Sequence, residues 1–212
     1  MTPVAQTPMT LAPMTLAPVT LASKSPTRAK LLRDAGVAFD AVSPGVDETS
    51  AKESFLSEGM KPRDIADALA EMKAVRVSMK REGLVIGADQ TAELDGKLID
   101  KAETIEEARA QLLALRGRDH SLHSAVVLAR AGQPIWREIR TAKLRARAFS
   151  DDFLESYLAR EAPHIIGSVG CYRLEGEGAQ LFDRIDGDYF TILGLPLMGL
   201  LDMLRRHGAL QT

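Results

Sequence analysis

Four short groups of residues carry side chains that could bind phosphate or a divalent cation. A serine-rich turn with one arginine, SKSPTR at 23–28, lies between a β-prone run and a helix-like run. Asp47 and Glu48 lie in a polar stretch, Asp89 ends the apolar run LVIGAD, and Lys101 follows a dozen residues later. Carboxylates bind hard cations, whereas hydroxyl and cationic groups bind phosphate oxygens. Each group taken alone also has an ordinary structural explanation.

The SKSPTR turn is predicted to connect the strand VTLAS to the helix RAKLLRDA, which Gly36 ends. A loop that enters a helix presents free backbone N–H groups and the positive end of the helix dipole. Ser23 and Ser25 could therefore supply hydroxyls to a phosphate, and Arg28 a charge. The alternative is that Ser25 only caps the helix and that Arg28 is solvated.

The acidic residues and Lys73 also have two interpretations each. Asp89 ends a buried strand and must be paired, hydrated or bound to a cation, or it caps the following turn. Glu48 lies in a predicted polar loop, where a lone acidic residue is usually solvated. Lys73 lies beside the apolar stripe of a predicted helix, where a lysine usually extends to water.

Alternating strands and helices must position these groups. A strand is predicted around VAFDAVSP and a helix from Pro62 to Arg81, with LVIGAD as a buried strand. The capping pattern TIEE opens a helix that closes near Gly117, and residues 120–146 form a hairpin that turns at Ala-Gly-Gln-Pro. SDDFLESYLARE is a further helix. The class is α/β, or mixed α+β.

Two helices have predicted apolar faces. The helix from Pro62 is expected to bury residues at three- and four-residue spacing, namely Ile65, Leu69, Met72, Val75 and Met79. The final helix is expected to turn four leucines inward, namely Leu197, Leu200, Leu201 and Leu204.

Composition limits the classes of protein. The 212 residues, 45% of them hydrophobic, suit one compact domain, and a formal charge of −2 gives no basic field for nucleic acid. No apolar run is long enough to cross a membrane, and the single cysteine excludes an intrachain disulfide, so a reducing cytoplasm is expected. Cys171 is predicted to be a small buried residue.

The first residues repeat MTLAP and are expected to form a mobile leader, residues 1–18, before a single domain, 19–208, and a tail, 209–212. Prolines at 3, 8, 13 and 18 exclude a continuous helix there, and no Lys or Arg occurs among the first 20 residues, unlike in a targeting peptide. Translation could start at Met1, Met9 or Met14, and we predict that residues 1–13 are dispensable.

Several apparent motifs are not expected to be functional. The glycines at 176 and 178 lack the strand and helix of a dinucleotide site. His120 and His123 are three apart on a predicted strand, which directs them to opposite faces and excludes a shared metal.

Seven segments, in this order, resemble the Maf family of nucleoside triphosphate pyrophosphatases over residues 20–207. These are LASKSPTRAKLL, VDE at 46–48, EMKA, VIGADQT, LDGKLIDKA, LRGRDHSLHSAV and GCYRLEGEGAQLFDRIDGDYFTILGLPL. The resemblance implies a long twisted mixed sheet flanked by helices, in two lobes with a central cleft, similar to that of inosine triphosphate pyrophosphatases. It also implies a cytoplasmic homodimer that cleaves a nucleoside triphosphate to the monophosphate and pyrophosphate, with links to septum formation and to removal of non-standard nucleotides.

The resemblance implies a role for each matching residue. Ser23 and Arg28 would hold phosphate oxygens, and Lys73 and Lys101 would neutralise triphosphate charge. Glu48 and Asp89 would bind a divalent cation, Mg²⁺, Mn²⁺ or Co²⁺, and Asp89 would be the proton acceptor.

The chain departs from the usual family pattern at three places, two of which concern substrate choice. Gln90 stands where many members have Thr, and Glu175 stands where members that act on dTTP and UTP have Gln. Both residues resemble the branch associated with 7-methyl-GTP, and both fall where base or ribose recognition is expected. The usual Gly-Lys-Pro is Asp100-Lys101-Ala102 here. Two other functions remain open from the sequence: a nucleotide-binding regulator of cell division without turnover, and a phosphatase that releases orthophosphate.

Overall fold

The computed structural model describes residues 16–211. Within them lie seven strands and seven α-helices, with two short 3₁₀ helices at Val169–Cys171 and Glu177–Leu181. In chain order the elements are β1 (Val19–Ala22), α1 (Pro26–Asp34), β2 (Asp40–Val42), α2 (Glu48–Ser57), α3 (Pro62–Ser78), β3 (Leu84–Leu94), β4 (Lys97–Ile99), α4 (Ile105–Leu115), β5 (Asp119–Arg130), β6 (Gln133–Ala146), α5 (Asp151–Ile165), β7 (Phe182–Asp186), α6 (Tyr189–Ile192) and α7 (Leu197–Arg206). None of the described helices combines the length and the apolar character needed to cross a bilayer.

All seven strands form one mixed sheet in the order β2-β1-β3-β5-β6-β7, with β4 paired to β3. Strands β2, β1 and β3 run parallel. Along the rest of the sheet, from β3 through β5 and β6 to β7, each strand is antiparallel to its neighbour. The predicted hairpin is confirmed as β5 and β6, which turn at Ala131 and Gly132, both with positive φ. The predicted class, a long mixed sheet flanked by helices, is confirmed.

The sheet has a break along one edge of β3. Strand β5 occupies the other edge from Val85 to Glu93, so β1 and β4 share the remaining edge. Strand β1 pairs with Leu84–Gly87 and β4 pairs with Ala92–Leu94, which leaves residues 88–91 between them without a strand partner on that edge. Asp89 and Gln90 therefore lie where the sheet opens.

Helix α3 lies unusually close to the sheet. Its alanines at 66, 70 and 74 pack on Ala125, Val127 and Ala129 of β5. At Gly87 of β3 a Cβ would come within 2.2 Å of the Ala70 carbonyl oxygen, so only glycine permits this approach. The predicted apolar stripe is correct at Ile65 and Leu69 and wrong at Met72 and Met79, which are 37% and 68% exposed. Small residues, and not the methionines, form the contact.

Two hydrophobic cores produce two lobes. One core joins β1 and the first half of β3 to α1 and α7, through residues such as Leu21, Leu32, Ile86 and Leu200. The other joins the second half of β3 and the start of β5 to α4 and α5, through residues such as Leu112, Leu122 and Tyr157. The leucine face predicted for α7 is buried at three positions and partly buried at Leu201.

Four elements differ from the sequence prediction, one of them being the short helix α6, which was not predicted. Residues 48–57 form helix α2 where a polar loop was expected, and the strands β4 and β7 were not predicted. Asp47 caps α2 by accepting a hydrogen bond from the backbone N–H of Ser50 at 3.1 Å. Of the predicted leader, residues 1–15 lie outside the described residues. Ala17 donates its N–H to the Gly208 carbonyl, and the Pro18 carbonyl accepts from Leu84 N–H, each at 2.9 Å.

Candidate active site: a charged cleft at the break in the sheet

A cleft of about 490 Å³ lies at the break in the sheet, between the two lobes. The turn after β1, the N-terminus of α2, one residue of α3, the open edge of β3 and the segments around 101, 164–175 and 192–193 line it. The cleft brings together all eight residues singled out from the sequence: Ser23, Arg28, Glu48, Lys73, Asp89, Gln90, Lys101 and Glu175. They come from six separate parts of the chain.

The SKSPTR turn holds Arg28 beneath the cleft. Ser25 caps α1 by accepting from the Arg28 N–H at 3.3 Å, as predicted. The Arg28 guanidinium is buried and donates to three oxygens: Gly194 O at 2.8 Å, Ala88 O at 3.0 Å and Ser23 Oγ at 3.4 Å. The alternative of a solvated Arg28 is therefore wrong.

The charge of Arg28 is strongly affected by its surroundings. Burial lowers the pKa of the Arg28 guanidinium, and the negative charges of Asp89 and Glu48 oppose that shift. An arginine remains protonated at neutral pH despite such a shift, because its ordinary pKa is far above 7. The site therefore keeps a fixed positive charge next to two carboxylates.

Lys73 lies between two carboxylates at the centre of the site. Its Nζ is 2.7 Å from Asp89 Oδ1 and 3.0 Å from Glu48 Oε2, and its side chain is only 4% exposed. The expectation that Lys73 extends to water is therefore wrong. Helix α3 lies close enough to the sheet for the ammonium of Lys73 to reach Asp89. Helix α2 places Glu48 on the other side of the same ammonium.

Glu48 is the first residue of α2 and not a loop residue. Partial burial alone would raise the pKa of its carboxyl, but the charge and hydrogen bond of Lys73, aided by Lys101 and Arg28, hold the pKa of Glu48 below its ordinary value. The helix dipole also favours a negative charge at this first position. Glu48 is therefore ionised at neutral pH.

The carboxylates of Glu48 and Asp89 fit a hard divalent cation that takes its remaining ligands from substrate and water. Asp89 and Glu48 converge on one ammonium, so the cleft already places two carboxylates around a single positive charge. Among residues 16–211 no cluster of three or more His, Cys, Asp or Glu side chains could hold a metal. Mg²⁺ is usually bound by one or two carboxylates together with water and substrate phosphates, and this pair fits that pattern.

Gln90 joins the two lobes across the floor of the cleft. Its Nε2 lies 2.9 Å from Ser124 Oγ, 3.1 Å from Thr191 O and 2.9 Å from Ile192 O. These acceptors surround the amide nitrogen, so the amide oxygen is the end left for a ligand. Ser124 reinforces the link by donating to Thr191 O at 2.6 Å.

Lys101 and Glu175 lie at the rim and are exposed. Arg173, which was not predicted from the sequence, also lines the cleft. Its guanidinium donates to Glu161 Oε2, with Nη2 at 3.0 Å, and Glu161 is buried. Its position inside the LEGEG-containing segment, two residues before Glu175, was the available signal.

A family model described as Maf-like protein matches residues 18–207. The chain belongs to the Maf family. Among similar Maf proteins, one from Caulobacter vibrioides, named nucleoside triphosphate pyrophosphatase, is 66% identical over 89% of this chain and 95% of its own length. Relatives with the same name from Granulibacter bethesdensis and Rhodospirillum rubrum are 49% and 50% identical over 89% of this chain and over 96% and 94% of their own.

A solved HAM1 protein from Coxiella burnetii has a TM-score of 0.40 and 12% sequence identity to this chain, covering 63% of this chain and 75% of its own. This likeness is too weak to bear on function.

The residues set aside in the sequence have structural partners in this Maf protein. His120 Nε2 is 2.7 Å from the Tyr172 hydroxyl, whereas His123 contacts Thr141 and Glu93. Cys171 is buried, as predicted, and burial raises the pKa of its thiol to about 11. None of these groups competes with the cleft as a reactive centre.

Proposed function

We propose that this protein is a nucleoside triphosphate pyrophosphatase, which hydrolyses a nucleoside triphosphate to the monophosphate and pyrophosphate. The observation that carries the proposal is the ion-pair cluster of buried Lys73 with Glu48 and Asp89, placed beside buried Arg28 in one cleft. The names of relatives that match nearly their whole length support it. A phosphoanhydride substrate suits this charge pattern, since its transfer chemistry depends mainly on positioning and electrostatic stabilisation.

The cationic residues would bind the triphosphate. Arg28 is held by backbone carbonyls, so its guanidinium is already oriented before substrate arrives. Ser23 and the N-terminus of α1 would add hydrogen-bond donors to a phosphate oxygen. Lys101 at the rim and Lys73 at the floor would neutralise the negative charge that develops on the leaving pyrophosphate.

Asp89 would act as the proton acceptor for the attacking water. Its carboxylate is on the open edge of β3 and is only 11% exposed, so few water molecules compete for it. We propose that Glu48 and Asp89 also bind the divalent cation, Mg²⁺, Mn²⁺ or Co²⁺, which when bound polarises phosphate oxygens and offsets their charge. Lys73 would hold both carboxylates in position through its two ion pairs.

Gln90 and Glu175 would select the base. The amide oxygen of Gln90 and the carboxylate of Glu175 both accept hydrogen bonds, so both would favour a base that offers N–H donors. Guanine and its modified forms offer such donors on one edge. Homodimer formation, a cytoplasmic location and a link to septum formation stay predictions.

A nucleotide panel tests the proposal. The protein would be incubated with dTTP, UTP, CTP, GTP and 7-methyl-GTP in the presence of Mg²⁺, Mn²⁺ or Co²⁺, and the products separated. We expect equal amounts of monophosphate and pyrophosphate, and strongly reduced release by Asp89→Asn. Orthophosphate as the first product would indicate a phosphatase, and tight binding without turnover would indicate a regulator.

A further inference from the structure

Helix α2 carries Glu48 but has no buried side chain. Helix α3, on the other side of the site, is anchored by a row of buried residues that includes Ile65, Leu69 and Ala70. Apolar burial fixes the position of a helix in most proteins, because isolated helices of this length are marginal in water. Ala51 and Phe55 are the only half-buried apolar residues of α2, so the position of this helix, and hence of Glu48, depends also on polar contacts.

Two ion pairs, one helical turn apart, hold α2 to the rest of the molecule. Glu48 pairs with Lys73 on α3, and Lys52 pairs with Asp100 in the segment after β4. Lys52 Nζ lies 2.5 Å from Oδ1 and 2.7 Å from Oδ2 of Asp100, so it contacts both oxygens. Residues four apart lie on one helix face, so both pairs act on the same side of α2.

Asp100 also holds the segment that carries Lys101. Its Oδ1 accepts from the Lys101 N–H at 2.8 Å, and its backbone carbonyl accepts from Gln111 Nε2 at 2.8 Å. One carboxylate thus connects α2 with the backbone of the lysine at the cleft rim. Lys52 is 19% exposed, which is less than expected for a solvated lysine.

The pair lies directly behind the proposed reaction site. A small cavity of about 20 Å³ is lined by Lys52 and Asp100 together with five residues of the main cleft, among them Glu48, Asp89 and Lys101. Neither Lys52 nor Asp100 lines the main cleft itself. They therefore act through other residues and do not touch the substrate.

We infer that Lys52 and Asp100 form a positioning clamp, which fixes Glu48 through α2 and Lys101 through its backbone. This inference rests on the proposed function, because it assigns the pair to the same reaction. The clamp is specific to an acidic residue at 100, where the family resemblance leads one to expect glycine. The clamp supplies a charge–charge contact to a helix that has no buried side chain.

Three variants separate the two actions of the clamp. Lys52→Met and Asp100→Asn each remove the charge pair, and the amide of Asn can still accept from the Lys101 N–H. Asp100→Gly removes that acceptor as well. We expect the first two to lower kcat about fivefold and to raise the divalent cation concentration needed for half-maximal rate, since exposed and half-buried pairs contribute up to roughly a factor of five. Asp100→Gly should also raise KM.

A double-mutant cycle and a matched control complete the series. Lys52→Met combined with Asp100→Asn should be no worse than either alone, because both remove one interaction. Lys52→Arg should retain most of the rate. Lys30→Met removes the exposed pair with Asp34 inside α1 and should leave the rate unchanged. Additive losses in the cycle, or an equal loss in Lys30→Met, would overturn the clamp.

Amide hydrogen exchange provides a readout independent of turnover. Measured without divalent cation, the amides of residues 48–57 should exchange about fivefold faster in Lys52→Met and Asp100→Asn, while those of α3 stay unchanged. Unchanged exchange in α2 would refute the clamp even if the protein is an active pyrophosphatase. Faster exchange in a protein that releases no pyrophosphate would support the clamp and refute the proposed function.

Discussion

Two lysine or arginine side chains in this molecule each lie between two carboxylates, and helix α3 contributes to both. On one side of α3, Lys73 meets Glu48 and Asp89 and is 4% exposed. On another, Arg137 of β6 meets Asp67 and Glu71 and is 44% exposed. Each cluster has one cationic side chain, one aspartate and one glutamate, but the two clusters differ in their exposure to water. In water the outer cluster is screened, whereas the inner one operates where charges interact strongly.

The largest difference between the clusters should appear when a carboxylate becomes an amide. We expect Asp89→Asn to lower kcat/KM about 10³-fold, as removal of a general base typically does. Asp67→Asn, the same change in the outer cluster, should alter it less than about twofold. Pyrophosphate release measures both. Comparable losses in the two variants would mean that the inner cluster has no special role.

Removal of the central cation should affect stability next. Lys73→Met leaves two carboxylates facing each other in the cleft and should lower the free energy of unfolding by about 3 kcal/mol, at the lower end for a broken buried pair because α2 can move away. Chemical denaturation without divalent cation measures this. Added Mg²⁺ should recover part of the loss, because it replaces the missing positive charge. If Mg²⁺ has no effect, the two carboxylates do not bind it.

A buried histidine sharpens the comparison further, because the negative charge of Asp119 opposes the effect of its burial only in part. Burial lowers the pKa of His120 to about 4. Between that value and its ordinary 6.5 the unfolded chain binds the extra proton, so stability falls as the pH falls. The residue should cost about 2 kcal/mol between pH 7 and pH 5.

Variants at this position isolate that contribution. His120→Gln should flatten the pH dependence of unfolding over this range. Tyr172→Phe removes the hydroxyl partner but keeps the imidazole, so it should leave the slope in place. An unchanged slope in His120→Gln would show that another group titrates there.

The smallest effect is expected in the outer cluster. Arg137→Met should lower the free energy of unfolding by less than about 1 kcal/mol, because exposed ion pairs contribute little. The hydrogen bond from the guanidinium to Asp67 is the main cause that raises the pKa of Arg137. The side chain is attracted to its partners but remains partly exposed to water. The same denaturation assay measures it, and a loss equal to that of Lys73→Met would remove the distinction between the clusters.

The sequence predicted the site better than it predicted the burial within it. All eight candidate residues meet in the cleft, and most of them lie in or beside elements whose type was predictable from the sequence pattern. Glu48 is the exception, because it begins α2, which was not predicted. The burial of Lys73 was not predictable from local spacing, since its partners are 25 residues before and 16 residues after it in the chain. A lysine beside an apolar stripe has the same local pattern whether it is paired or solvated.

The missed helix and the wrong methionines have a common physical cause. Periodicity detects a helix through the residues it buries, and α2 buries none, so only its Asp47 cap signalled it. In α3 the larger side chains Met72 and Met79 were assigned to the core, yet the part of the helix that packs on β5 buries alanines. Close packing against a sheet selects small residues, and a hydrophobicity pattern does not report that.

Gly87 lies two residues before Asp89, so both face the same side of β3. Because Gly87 has no side chain, α3 packs against bare backbone, and the length of a lysine side chain spans the remaining distance to Asp89. The absence of a Cβ at Gly87 therefore sets the distance between the backbone of Lys73 and Asp89. A single added methyl group at position 87 would push α3 away from the sheet and so separate Lys73 from Asp89, although the methyl group contacts neither. The proposed site therefore depends on a residue that has no reactive side chain.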